Sequence, residues 1–195
     1  MRKVVVDEFM SLDGVSQAPG GPEEDPSGGF QHGGWQLQYE GSDRPGTWAR
    51  DNIVEAGGFL LGRRTWEIFA AYWPNAPEET QAIAEPLNTK PKYVASRTLS
   101  EPLGWQNSTL LKGELEDGVQ ALKQEDGGDL HVIGSTELVR SLIERDLVDE
   151  LRLVIYPILL GGGKRILPDD GARRDWSLVD SRAAGGVIVA TYARR

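Results

Sequence analysis

The segment from Asp129 to Leu167 constrains the fold of this 195-residue chain more than any other part of its sequence. A short apolar run at its start is typical of a buried strand. Apolar residues then recur at the spacing of a helix face, at Leu138, Val139, Leu142, Ile143 and Leu147. Alternating apolar residues from Leu151 to Ile155 predict a second strand, which Pro157 ends. A triple-glycine loop follows at Gly161 to Gly163.

A strand–helix–strand unit of this kind has a chemical consequence at the first residues of its helix. In a parallel unit, the helix begins beside the carboxyl end of the preceding strand. Unpaired backbone N–H groups and the helix dipole favour a phosphate group at that position. Gly134 and Ser135 occupy this junction. The segment therefore predicts one half of a nucleotide-binding site.

The composition excludes several other classes of site. The net charge is −9 and no block of lysine or arginine occurs, which argues against nucleic-acid or anionic-membrane binding. There are no cysteines, so disulfides, thiol catalysis and cysteine-ligated zinc are excluded. The histidines, His32 and His131, form no metal-ligand pattern, and no metal site is expected. No signal peptide or membrane span is evident, so we expect a cytoplasmic protein.

Strands and helices alternate along the rest of the chain. Strands are predicted at Lys3 to Phe9, Gly58 to Leu61, Lys92 to Ala95 and Leu110 to Leu111, and helices at Trp48 to Ala56, Thr65 to Tyr72, Pro77 to Leu87 and Leu115 to Gln124. Two terminal strands, Trp176 to Ser181 and Val187 to Tyr192, flank a Gly185-Gly186 hairpin turn. This order predicts an α/β fold in a single domain, residues 1–195, whose mostly parallel sheet has an antiparallel C-terminal edge.

One long stretch, residues 17–46, is rich in glycine, proline and acidic residues and has no predicted regular structure. A loop of this length in a compact domain is usually functional or disordered. Aromatic residues within it favour a lid and its composition favours a flexible insertion, and both interpretations stay open. Its acidic cluster, Glu23-Glu24-Asp25, lies beside prolines and is expected to be solvated.

Two further strand-to-helix or strand-to-loop junctions carry phosphate-binding chemistry. In Gly62-Arg63-Arg64-Thr65, glycine permits close approach of the backbone, threonine can cap the helix, and arginine offers a planar pair of donors. Ser96-Arg97-Thr98 ends another strand with two hydroxyl groups and a guanidinium. Because ligands of open α/β sheets bind at the carboxyl ends of strands, we expect these junctions to meet in one site.

Four sequence stretches, taken in order, resemble the dihydrofolate reductase superfamily. They are GFLLGRRTWE, YVASRT, LHVIGSTELV and DELRLVIYPILLGGGKRIL. The greatest similarity is to the reductase domain of the bifunctional riboflavin-biosynthesis deaminase/reductase, whose branch is also matched by MSLDG at Met10 to Gly14. The resemblance covers nearly the whole chain except residues 17–46. It implies a dihydrofolate reductase-like three-layer fold and, as in that branch, a homodimer.

The resemblance implies NADPH as cofactor and assigns residues to each part of it. Gly62, Arg63 and Thr65 would contact the phosphates, and Ser96 and Arg97 would surround the adenosine ribose and its 2′-phosphate. The pyrophosphate would lie against Gly134, Ser135, Thr136 and Glu137, where the family usually has two glycines instead of Gly134-Ser135. The loop of Leu159, Gly161 and Gly162 would flank the nicotinamide.

Fewer residues are candidates for contact with the substrate. Asp13 lies in the turn after the first strand and is the candidate for a substrate contact or a proton relay, although an Asp-Gly pair also forms turns without any other role. Tyr156 and Lys164 are further candidates for substrate contact, and Lys164 and Arg165 for a substrate phosphate.

Two departures from related enzymes limit the choice of substrate. Folate-reducing members hold the pterin with an acid on the helix before the G-R-x-T turn, whereas Asp43 and Asp51 are not clearly in register here, so folate reduction is disfavoured. The zinc deaminase half of the riboflavin enzyme is absent. The leading hypothesis is an NADPH-dependent 5-amino-6-(5-phosphoribosylamino)uracil reductase. The alternatives are a reductase of another pterin-like or small carbonyl or imine substrate, and a non-catalytic dinucleotide-binding protein.

Overall fold

A computed structural model describes residues 1–39 and 46–195, which form one eight-stranded sheet flanked by five α-helices. The strands are Val4–Ser11 (β1), Gly58–Gly62 (β2), Lys92–Ala95 (β3), Ser108–Leu110 (β4), Leu130–Ile133 (β5), Glu150–Tyr156 (β6), Trp176–Ala184 (β7) and Val187–Arg194 (β8). The helices are Gly46–Glu55 (α1), Arg63–Tyr72 (α2), Gln81–Thr89 (α3), Leu115–Gln124 (α4) and Thr136–Glu144 (α5).

The strand order is β4-β3-β2-β5-β1-β6-β8-β7. All pairs from β4 to β6 are parallel, and β8 is antiparallel to both β6 and β7. The predicted antiparallel C-terminal edge is therefore confirmed. His131 of β5 pairs with Val5 of β1 on one side and Phe59 of β2 on the other. The carboxyl ends of β2, β5 and β1 consequently lie side by side.

Strand alternation separates the helices into two layers, as expected for a three-layer fold. Val6 and Leu60 are buried against α4 and α5 on one face of the sheet. Phe59 and Leu61 are buried against α1, α2 and α3 on the other face. Beside this second group lies an aromatic cluster formed by Phe9, Phe30, Trp35, Tyr39, Trp48 and Tyr156. We call it the aromatic cluster below.

Residues 17–39, the described part of the long loop before α1, are held together by hydrogen bonds within the loop. The Gln17 side chain donates to the carbonyl oxygens of Asp25 and Ser27, each at 2.9 Å. The Trp35 indole donates to the Gln17 carbonyl at 2.8 Å. Of the two acids considered for a folate-like role, Asp43 lies outside the described residues, and Asp51 is exposed on α1 beside Arg50.

Helix α3 begins and ends later in the chain than the sequence pattern predicts. The helix expected at residues 77–87 begins at Gln81 after a 3₁₀ turn, and it continues through Pro86 to Thr89. The fully buried ammonium group of Lys92 donates to the carbonyl oxygens of Leu87, Asn88 and Lys90 at the end of this helix. Those bonds satisfy terminal carbonyls that would otherwise lack partners. Burial lowers the pKa of Lys92 to about 8.

The Gly185-Gly186 hairpin is confirmed, and both glycines have positive φ, at 56° and 84°, as a two-residue turn between twisted strands requires.

None of the helices within residues 1–39 and 46–195 combines the length and the apolar character that a membrane span needs.

Gly57, at the entry to β2, generates a test of the packing. Its N–H donates to the Asp129 carbonyl at 2.8 Å, and an added Cβ would lie 2.3 Å from the backbone of Gly128. We expect Gly57→Ala to lower the free energy of unfolding by about 1–3 kcal/mol, because backbone cannot move aside as a flexible side chain does. Gly104→Ala, where a Cβ meets open space, is the matched control. Equal urea midpoints for the two variants would contradict this packing.

Candidate active site

The first turns of α2 and α5 meet at the carboxyl ends of β2 and β5. The N–H of Gly62 donates to the Ser135 hydroxyl at 2.8 Å. A Cβ at Gly62 would lie 3.1 Å from that oxygen, so glycine allows the two junctions to approach closely. The first N–H groups of a helix have no partner within the helix. Two such groups of donors therefore face the same region, and both helix dipoles favour an anion there.

Ser135 stands where the family usually has a glycine, and its backbone conformation shows why glycine is usual at this position. Both Gly134 and Ser135 have positive φ, at 63° and 65°. A left-handed conformation costs a non-glycine residue about 1–2 kcal/mol. The hydrogen bond from Gly62 to the Ser135 hydroxyl offsets part of that cost. The serine thus keeps the glycine-like turn and ties it to the neighbouring junction.

The predicted residues after β3 lie next to those after β2, because Ala95 pairs with Gly62. Arg63 donates to the Thr98 hydroxyl at 2.6 Å and to Glu67 at 2.7 Å, which joins α2 to the loop after β3. The Ser96 hydroxyl accepts from the N–H groups of Thr98 and Leu99. Arg97 is exposed. Its guanidinium makes no hydrogen bond or ion pair within the described part of the chain, so it remains available to a ligand.

Thr65, Thr136 and Glu137 belong to the region between the two helix N-termini, where the family resemblance predicts the pyrophosphate. Thr65 lies beside Gly134 across the junction, where its side chain would be 3.5 Å from a Cβ at that glycine. The hydroxyl groups of Thr136 and Ser16 are 3.3 Å apart. The Glu137 side chain is 84% exposed and lies 3.7 Å from Lys164, so it points away from the junction into solvent.

Asp13 joins the turn after β1 to the glycine loop. Its carboxylate accepts from the Ser11 hydroxyl at 2.7 Å, from the Leu160 N–H at 3.1 Å and from the Gly161 N–H at 2.8 Å. Burial raises the pKa of this carboxyl, but the hydrogen bonds from Ser11, Leu160 and Gly161 outweigh it and lower the pKa to about 2. Asp13 is therefore ionised at neutral pH, where a carboxylate cannot donate a proton. Its contact with substrate stays a prediction.

A groove of about 460 Å³ opens between residues 27–32 of the long loop and residues 160–164 of the glycine loop. Gly162, Gly163, Leu160 and Lys164 line one wall, and Gln17 lies at its base. Gly163 is required for the close contact, because a Cβ there would lie 2.7 Å from Val15 and 2.9 Å from Phe30. The predicted loop residues Leu159, Gly161 and Gly162 are all exposed.

Tyr156, a predicted substrate residue, lies away from this groove. It is 95% buried within the aromatic cluster, with its ring 5.2 Å from Trp35 and 5.3 Å from Tyr39. Its hydroxyl is 3.4 Å from the Gln36 side chain. Loop residues therefore cover this tyrosine, and its contact with substrate stays a prediction.

The prediction that His131 is a residue of the sheet interior is confirmed. It is buried, and its Nδ1 is 2.6 Å from the Asp7 carboxylate on the adjacent strand. Burial raises the pKa of Asp7 despite this contact. The pair lies on the face of the sheet covered by α1, where Arg152 connects Asn52 and Glu55.

The expectation that Glu23-Glu24-Asp25 is solvated is wrong for Asp25. Its carboxylate is buried and accepts from the Lys164 ammonium at 2.9 Å, and it lies 3.0 Å from the Arg64 guanidinium. Glu24 accepts from the N–H groups of Gly20 and Gly21, and only Glu23 is exposed as expected. No local pattern distinguishes Asp25, because both of its cationic partners are distant in sequence. Ser16 and Gln17 carry no local signal either, because their partners Thr136 and Lys164 are also distant in sequence.

The sequence model of the RibD C-terminal domain family matches residues 2–190 of this chain. The chain belongs to this family. This membership places the protein among riboflavin-biosynthesis-type reductases.

Two curated relatives come from Bacillus subtilis strain 168. The uncharacterized protein YyaP is 26% identical over 98% of this chain and 94% of its own length, and the uncharacterized protein YwjB is 26% identical over 83% and 80%.

Solved structures confirm the dihydrofolate reductase-like fold. A protein assigned to riboflavin biosynthesis from Shewanella sp. PV-4 superposes with a TM-score of 0.71 at 21% identity, covering 100% of this chain and 99% of that one. Dihydrofolate reductase from Enterococcus faecalis, solved with NADP(H) and RAB-propyl, gives 0.60 at 14% identity over 99% and 96%. A pyrimidine reductase-like protein from Corynebacterium diphtheriae gives 0.66 at 13% identity over 100% and 92%.

The hydrogen bonds of Asp13 generate a pH-dependent prediction. Asp13→Asn should lower the free energy of unfolding by about 1–3 kcal/mol at neutral pH, because a charged acceptor of amide hydrogen bonds is lost. The folded-state pKa of about 2 lies below the ordinary 3.8. The ionised group therefore stabilises the fold above the ordinary value, and this contribution disappears as the pH falls towards 2.

Urea unfolding at neutral and acid pH checks this prediction. The difference between wild type and Asp13→Asn should shrink as the pH falls. Asp51→Asn, at an exposed carboxylate paired with the adjacent Arg50, is the control and should show little change. A pH-independent difference for Asp13→Asn would contradict the assignment.

Proposed function

We propose that the protein is an NADPH-dependent reductase of a small heterocyclic or ribosyl compound that carries a C=O or C=N bond. One observation carries this proposal most directly. The N-termini of α2 and α5 converge through the Gly62–Ser135 hydrogen bond, with Thr65 and Thr136 at their first turns. That arrangement suits the phosphate groups of a dinucleotide. Membership in a reductase family supports the same conclusion.

The residues present fit NADPH along the length of that site. Gly62, Arg63 and Thr65 would hold phosphate oxygens, with Gly134, Ser135 and Thr136 around the pyrophosphate and Glu137 turned away into solvent. The net charge of −9 attracts no anion from a distance, so local donors must supply the affinity. Arg97 is exposed and has no ion pair with any residue that the structure describes, and with Ser96 beside it this arginine would hold the 2′-phosphate that distinguishes NADPH from NADH.

NADPH would supply the hydride, and the protein would bind, orient and exclude water. The Asp13 bonds to Leu160 and Gly161 hold the glycine loop, which would flank the nicotinamide. With a pKa of about 2, Asp13 would act on the substrate as an acceptor of hydrogen bonds. A proton for the reduced product would then come from another source, such as water in the groove.

The first substrate to test is 5-amino-6-(5-phosphoribosylamino)uracil, because the family is of the riboflavin-biosynthesis type. Dihydrofolate is disfavoured, since Asp51 of α1 is exposed beside Arg50 instead of facing the groove. Anaerobic assays of NADPH oxidation with each compound distinguish these two candidate substrates. NADPH binding without turnover of either compound would favour another substrate or a non-catalytic dinucleotide-binding protein.

Arg97→Ala tests the cofactor assignment. Loss of a charge-assisted contact to the 2′-phosphate should weaken NADPH binding by about 10- to 100-fold and leave NADH binding nearly unchanged. Titration of intrinsic fluorescence with each nucleotide measures both constants. Arg182→Ala, an exposed arginine on β7 far along the sheet from β3, is the control. Equal losses for NADPH and NADH would contradict the role of Arg97, and no NADPH binding by wild type at submillimolar concentration would contradict the function.

We also propose that the protein is a homodimer formed through its C-terminal strands. β7 is the last strand of the sheet, and Leu178, Val179 and Ile188 are exposed on β7 and β8. An open edge with exposed apolar residues favours association with another chain. Light scattering should give twice the monomer mass of 21.4 kDa, and Val179→Lys should shift the protein towards monomer. A monomeric wild type at micromolar concentration would contradict this proposal.

A further inference from the structure

Lys164 lines the groove beside the glycine loop, Arg165 follows it in the chain, and both already lie near carboxylates of the protein. The Lys164 ammonium donates to Asp25 at 2.9 Å and lies 3.7 Å from Glu137. The Arg165 guanidinium donates to the Asp13 carbonyl at 3.0 Å and lies 3.7 Å from the Asp13 carboxylate. A charged ligand would therefore compete with these carboxylates for both cations. These are the two residues that the sequence favoured for a substrate phosphate.

Asp25 is the centre of this arrangement. Besides Lys164 on the glycine loop, it lies 3.0 Å from Arg64 at the start of α2. It also accepts from the Ser27 hydroxyl at 2.6 Å and the Ser27 N–H at 3.1 Å. Burial raises the pKa of Asp25, but the hydrogen bonds of Ser27 and Lys164 outweigh it, and the pKa is lowered. One ionised carboxylate thus pairs with Lys164, which lines the groove, and with Arg64 at the start of α2.

The position of Asp25 does not depend on its charge alone. The Gln17 side chain donates to the carbonyl oxygens of Asp25 and Ser27 and accepts from the Lys164 N–H at 2.9 Å. Gln17 is itself 98% buried. These neutral bonds join the long loop to the glycine loop independently of the ion pair. A change from aspartate to asparagine should therefore remove the charge and keep the geometry.

Among the described residues, the rest of the groove lining carries no fixed charge. Gly28, Gly29, Gly162 and Gly163 offer backbone groups, and Phe30, Gln31, His32 and Leu160 offer apolar surface and neutral polar groups. A volume of about 460 Å³ lies within the range of small-molecule sites. A phosphate entering here would displace a buried carboxylate from its cations, or remain near it unpaired, and either costs free energy.

We propose that Asp25 is a specificity-determining residue, which occupies the cations that a substrate phosphate would need and so reserves this groove for an uncharged heterocyclic or ribosyl group. The inference rests on the proposed reductase function and narrows its substrate. Of the riboflavin-type intermediates, it favours the form without the 5′-phosphate. Asp25→Asn frees Lys164 and Arg64 to bind an anion.

Calorimetric titration of the NADPH-saturated protein with ribose 5-phosphate and with ribose tests this role. Asp25→Asn should bind ribose 5-phosphate at least about tenfold more tightly than wild type, with ribose unchanged. Glu24→Gln is the matched control, because this neighbouring carboxylate accepts only backbone N–H groups of Gly20 and Gly21. Its ribose 5-phosphate affinity should equal that of wild type. Equal affinities for Asp25→Asn and wild type, or an equal gain in Glu24→Gln, would overturn the proposal.

A second test uses the wild-type protein alone and does not require the Asp25 variant to fold. In turnover, wild type should favour the dephosphorylated aminouracil over the phosphorylated one in kcat/KM, and the opposite preference would contradict Asp25 as a selector.

Failure of the proposed function gives a different pattern of results. If NADPH does not bind, the reductase assignment fails, while titration of the cofactor-free protein still compares Asp25→Asn with Glu24→Gln. If NADPH binds and substrate is reduced but phosphate selectivity is the same in all variants, the reductase function stands and the role of Asp25 fails.

Discussion

The parallel pairing of β5 between β1 and β2 is the constraint on which the candidate site depends. β5 follows β4 in the chain, yet in the sheet it lies between β1 and β2, the first two strands of the sequence. Its register brings Gly134 and Ser135 beside Gly62, so that α5 begins next to α2. Two helix N-termini can meet only when their preceding strands are neighbours. The dinucleotide site we propose therefore depends on strand order as much as on its glycine and threonine residues.

Carboxylates of the protein organise the other side of the site. Asp13 holds the glycine loop by its amides, and Asp25 holds the long loop against Lys164 and Arg64. Each carboxylate is tied by hydrogen bonds that favour its ionised form, so both remain charged at neutral pH. In a chain of net charge −9, the proposed cofactor side keeps the exposed Arg97, which has no ion pair among the described residues, whereas Lys164 and Arg165 on the proposed substrate side already lie near carboxylates. The proposed selectivity between charged and uncharged ligands rests on that difference.

Ser135 shows how one substitution is accommodated in this fold. A left-handed turn normally favours glycine, and a serine there is strained. Its hydroxyl accepts from the Gly62 N–H, and a Cβ at Gly62 would lie 3.1 Å from the same hydroxyl, which is closer than ordinary van der Waals contact. The two positions therefore depend on each other, and the bond between them keeps the two helix N-termini in contact.

The sequence by itself determined the elements and the strand-to-helix junctions of the candidate site. Hydrophobic periodicity in residues 129–167 and the strand-to-helix junctions at Gly62 and Gly134 are local signals, because helix and strand patterns repeat within a few residues. Only the tertiary structure decided the substrate side. It buried Asp25 from an acidic cluster that resembled a solvated surface, and it placed Tyr156 beneath loop aromatics. Both outcomes depend on contacts between residues more than 100 positions apart, such as Asp25 with Lys164, which no local pattern records.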